Sequence, residues 1–136
     1  MAEPLMIADL DAFLASYGDR PWVWGEVDCS LVLADWAIAN GHPDSAAQLR
    51  GSYATHQGCL AVVAAAGGVV PLVAACAAVL GLDALAVPER GAIGVVGAAS
   101  NMHRQWGAIF DGRDWQVRLE PRFVALKAHP LGIWRI

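Results

Sequence analysis

The chain has 136 residues, 57% of them hydrophobic and 16% charged, and a formal net charge of −4. That length predicts one domain over residues 1–136, able to bury roughly two-thirds of its unfolded surface without disulfides. The thin acidic balance leaves no basic stripe for nucleic acid or an anionic membrane, and three irregularly spaced cysteines with no CxxC pair exclude a disulfide framework and a zinc site.

Acids stand where the basic region of a signal peptide would be, so no cleavable leader is expected. Residues 3–18 read as an amphipathic helix, with Leu5, Leu10, Phe13 and Leu14 on one face and a stop at Gly18. Pro21 and Gly25 mark a loop. Asp28 is placed as the N-cap of a second helix that ends at Asn40 and Gly41. Residues 43–50 predict one or two further helical turns.

Residues 60–82 carry no charge and are long enough to span a bilayer. Gly67 and Gly68, Pro71 and the lack of basic or aromatic flanks favour two short buried helices instead. After Pro88 come short runs rich in Val, Ile, Phe and Trp, at 91–98, 104–112, 114–126 and 132–136, with Asp111 and Gly112 as a hairpin signal. Helices over residues 1–87 and an antiparallel sheet over 88–136 make an α+β domain.

The residues that could carry chemistry gather around Cys29. A thiol attacks an amide only as thiolate. A helix N-terminus favours the anion and offers free N–H groups as an oxyanion hole. The Asp28 charge acts against a second anion beside it unless its carboxylate is engaged with backbone N–H groups. An imidazole must also reach the sulfur. His103, in the loop feeding the second strand, is the best placed; His56, His42 and His129 suit surface or capping roles. Gln116, on the next strand, is the candidate third member. Trp22 and Trp24 could line a sugar or peptide groove or pack inside, whereas Trp36 belongs to the core. The plain alternative is that Cys29 is a small core residue, as Cys59 and Cys76 are expected to be. Nothing in the sequence calls for a metal or cofactor.

The stretch RPWVWGEVDCS resembles the nucleophile region of NlpC/p60 cell-wall peptidases, in which Pro-Tyr-x-Trp-Gly-Gly leads to Asp-Cys-Ser-Gly. Pro21, Trp24, Gly25, Asp28, Cys29 and Ser30 match. The chain is also similar to small proteins encoded in phage and prophage tail clusters, through residues 22–25, residues 28–30, and Arg50, Gly51 and Tyr53. The resemblance implies a papain-like fold with Cys29 as nucleophile and Trp22, Trp24, Asp28 and Ser30 at the substrate. Trp22 replaces the family tyrosine, Leu31 a glycine and Ala92 an aspartate, and Trp106 is expected where the histidine belongs. Two functions follow: a virion-tail cysteine peptidase or amidase acting on peptidoglycan stem peptides during cell entry, or the same fold without catalysis, built into the tail tip or assisting its assembly. Both imply tail proteins as partners.

Overall fold

The computed structural model describes residues 8–136. Four helices, α1 (Leu10–Gly18), α2 (Leu31–Ala39), α3 (His56–Ala65) and α4 (Val69–Leu80), precede five strands: β1 (Ile93–Gly97), β2 (Gln105–Phe110), β3 (Trp115–Arg118), β4 (Phe123–Leu126) and β5 (Pro130–Trp134). The strands form one antiparallel sheet in the order β4-β3-β2-β1-β5. The α+β reading holds. The expected first helix begins, within the described part, at Leu10, where the Asp9 carboxylate accepts from Ala12 N; its residues 3–7 lie outside the described part.

Helix α2 is the centre of the molecule. Leu31, Val32, Leu33, Ala34, Trp36 and Ala37 are all buried, so it is covered nearly all round. The Trp36 indole donates to Gly91 O at 2.8 Å and ties the helix to the start of the sheet. Asn40 and Gly41 close it as expected: Gly41 takes φ +91, and His42 N returns to Ala37 O.

Residues 43–52 form turns rather than a helix. Asp44 Oδ1 accepts from Ala46 N, and Leu49 and Arg50 donate three residues back, to Ala46 O and Ala47 O. The short polar Asp44 side chain competes for the backbone donors a helix would use.

The uncharged stretch folds as α3 and α4, bent by 69° at a break that Gly67 and Gly68 form. These helices are not buried as expected. Cys59 and Val63 of α3 and Val69, Val73 and Ala77 of α4 are inside. Ala61, Ala64, Ala75 and Ala78 face outward, and Val79 is 75% exposed. Among the described residues no single helix is long and apolar enough to cross a membrane.

Strand alternation sorts the sheet's two faces. Ile93, Val95 and Ile109 join the helices in one apolar core, while Val96, Ala108, Trp115 and Val117 form a second. The run 114–126 is split into β3 and β4 by a turn in which Leu119 N donates to Arg122 O around Pro121. The outer side of β5 is covered by residues 83–85: Ala84 bridges Trp134, Leu85 N donates to Ile133 O and Arg135 N to Asp83 O.

Candidate functional site: an aromatic groove at the start of α2

Residues 22–29 are held in place by two devices. Val23 and Val27 exchange backbone hydrogen bonds across a tight turn, and Gly25 within it has φ +83. A Cβ on Gly25 would lie 2.3 Å from Tyr53 O, so only glycine lets the following loop approach. Gly51 N donates to Gly25 O at 3.0 Å. Arg50 reaches Asp44 and Asp35, each at 2.8 Å. The Arg50, Gly51 and Tyr53 signature is therefore a clamp on the loop that delivers Cys29.

The Asp28 carboxylate is fully buried. The N-cap position of α2 is Ser30 rather than Asp28, but the Asp28 side chain does the capping: its Oδ1 accepts from Ser30 N and Leu31 N at 3.0 and 2.9 Å. Its Oδ2 accepts from Gly25 N at 3.0 Å and from the Tyr53 hydroxyl at 2.6 Å. Burial, and then the Asp28 charge, hold the Tyr53 phenol far above its usual range, so it stays a donor.

Cys29 follows directly. Burial first, and the Asp28 carboxylate second, push its thiol up to about 12. The resting thiol is therefore protonated at neutral pH.

Cys29 opens on a groove of about 450 Å³ whose lining includes Trp22, Trp24, Ser30, His56, His103 and Trp106. Most of the residues singled out from the sequence thus meet at one place, with Asp28 buried behind them. His103 sits exposed in a 3-10 turn, Met102–Arg104, its backbone N–H given to Asn101 Oδ1. His56 is exposed at the first position of α3, as the sequence suggests, and there it also lines the groove and stacks on Trp24 at 5.3 Å. Cys59, one turn further along α3, lines the same groove, and its sequence spacing from His56 was the available signal. Gln116 is not part of the lining: its amide donates to Asp111 Oδ2 at 2.8 Å, where β2 turns into β3, and it pairs with Ile109 rather than with the start of β2.

Trp106, expected where the family histidine belongs, lines the groove with Cys29 and packs against the same apolar cluster. A Cβ on Gly107 would stand 2.6 Å from Cys29 O, so the face of β2 that carries Gly107 is the one against the Cys29 backbone. Alternation puts Gln105 on the face that meets the Cys29 backbone and Trp106 on the face of Ala108 and Val96, and the cluster on that second face also takes in Cys29. Gln105 lines the groove, and its amide nitrogen donates to Ala98 O at 2.7 Å. A carboxamide has no basic nitrogen.

Arg118 is a participant that the sequence hid. In β3 it alternates with the inward Trp115 and Val117, which assigns it to solvent, yet it is 1% exposed. Its guanidinium donates to the carbonyls of Arg20, Leu119 and Glu120 and lies 5.8 Å from the Trp22 ring centroid. It locks the Trp22 loop to the β3–β4 turn, which brings Glu120 to the groove. Among the described residues, no group of three or more His, Cys, Asp or Glu side chains is arranged to hold a metal ion.

No curated protein and no solved structure matches the chain. A family model does match, over residues 4–136, and so takes in the clamp, the Cys29 loop, all four helices and the whole sheet. The chain belongs to that family, described as Domain of unknown function (DUF6950).

Proposed function

We propose that this chain is an NlpC/p60-like, papain-like domain that has given up hydrolysis and serves as a binding component of a phage tail. Four helices followed by an antiparallel sheet, with Cys29 where α2 begins, support the papain-like part. The observation that carries the loss of catalysis is what β2 brings to the groove beside Cys29: Gln105 and Trp106, neither of which can take a proton from the thiol, which is itself held protonated. The tail assignment rests on the match of Trp22, Asp28, Cys29 and the Arg50–Tyr53 clamp to tail-cluster proteins.

Incubation with peptidoglycan stem peptides, followed by mass spectrometry, tests the first part. The expected result is no product above that of Cys29→Ala protein. Product that disappears in that variant overturns it. Detection of the chain in purified virions tests the second part, and its absence from the tail fraction overturns that.

One observation favours a second reading, a peptidase in which Cys29 attacks and His103 accepts its proton: both side chains line one groove with Trp22, Trp24 and Ser30. In that reading His103→Ala and Cys29→Ala abolish the same cleavage.

A further inference from the structure

Trp22 and Trp24 meet at right angles, centroids 5.0 Å apart, and His56 continues this wall by stacking on Trp24. Trp106 and Glu120 also line the groove, and no lysine or arginine does. The Glu120 carboxylate makes no ion pair among the described residues. Indole faces are negative and attract cations. One such contact is already made within the fold, where Arg118 lies over the Trp22 ring. Glu120 is the acidic residue of the lining, and the nearest guanidinium, Arg118, is buried with its N–H groups given to carbonyls, so the groove wall is complementary to a positive group.

We infer that the groove receives a primary alkylammonium group of the ligand, held among Trp22, Trp24 and Trp106 and hydrogen-bonded to Glu120. A primary ammonium is favoured over a quaternary one because the carboxylate rewards N–H donors, which a quaternary nitrogen lacks. This assignment rests on the reading of the groove as a binding site; it does not depend on whether Cys29 is active.

The test is titration of the full chain at pH 8 with n-butylammonium, tetramethylammonium and 1-butanol, read by the indole N–H resonances. Saturable binding of n-butylammonium is expected, with 1-butanol weaker by on the order of tenfold and tetramethylammonium between them. Glu120→Gln is expected to remove the advantage of n-butylammonium over tetramethylammonium, and Trp24→Leu to weaken both. Equal binding of the alcohol and the amine overturns the inference, as does tighter binding of tetramethylammonium than of the primary amine. Failure to saturate, or an unchanged Kd in both variants with folding verified by circular dichroism, does the same. Repeating the titration with Cys29→Ser protein separates the two ideas. Retained binding there is expected whatever the peptidase assay gives, and lost binding counts against the ammonium site alone.

Discussion

The Tyr53 hydroxyl donates to Asp28 Oδ2 at 2.6 Å, joining the residue before Cys29 to the end of the Arg50–Tyr53 clamp. Asp28 is fully buried, so this bond and three backbone N–H groups supply all of its stabilisation. Tyr53→Phe removes one donor from a buried carboxylate, and a loss of about 1.5–3 kcal/mol is expected in urea denaturation. Asp28→Ala strands the phenol and three N–H groups and is expected to cost more than Tyr53→Phe in the same measurement.

Alkylation of Cys29 by iodoacetamide, followed site by site with mass spectrometry, reads its protonation directly. With the thiol at about 12, the rate at pH 7.5 is expected to be roughly a thousandfold below that of an unperturbed cysteine. The linkage has a definite sign. A thiol whose proton is held more tightly in the folded state contributes stability that is complete below the ordinary thiol range and is lost as pH rises through 8.5 toward 12. Cys29→Ser is expected to flatten that alkaline part of the stability curve.

Gln105→His would place an imidazole in the groove beside Cys29. The apparent pKa of the Cys29 alkylation profile is expected to fall by about one pH unit or more. Trp106→His, at a position that packs with Cys29 against the Ala108 and Val96 cluster, is expected to lower it as well; no change in either variant would show that β2 presents neither position to the thiol.

Gly107→Ala tests how closely β2 approaches the Cys29 backbone. The added Cβ would meet Cys29 O at 2.6 Å and Leu33 Cδ1 at 2.9 Å, and the first of these is backbone that cannot rotate away. A destabilisation of about 1–3 kcal/mol is expected by thermal or urea unfolding.

The clamp has its own pH signature. The hydrogen bond from Arg50 holds the Asp44 carboxyl below its usual range. A carboxyl lowered on folding contributes stability that is present above the ordinary carboxylate range near 4 and is lost as pH falls through the folded value. Arg50→Gln is expected to shrink the difference in urea midpoint between pH 6 and pH 3.

The elements of this fold are legible in the sequence because glycine, proline and short polar residues mark them. Asp28 announces α2, Asn40 and Gly41 end it, and Gly67 with Gly68 breaks the long uncharged run. The groove was legible only in part. Cys29, Trp22, Trp24 and His103 lie near motifs that mark them, so they could be found. The protonated state of Cys29 comes from burial, which depends on strands about 80 residues away. The role of Gln105 needed the β2 register, since a one-residue difference exchanges the two faces of a strand. Arg118 was hidden because alternation assigns it to water, and the carbonyls of Leu119, Glu120 and the distant Arg20 make its burial tolerable.

The strip of residues 83–85 along β5 sets how copies of this molecule could join through their sheets. That strip takes up the Ile133 carbonyl and the Arg135 N–H at the C-terminal end of β5. The other edge of the sheet is β4, four residues long. A strand added along β5 would have to displace residues 83–85, so a second molecule joining sheet to sheet meets less obstruction at β4.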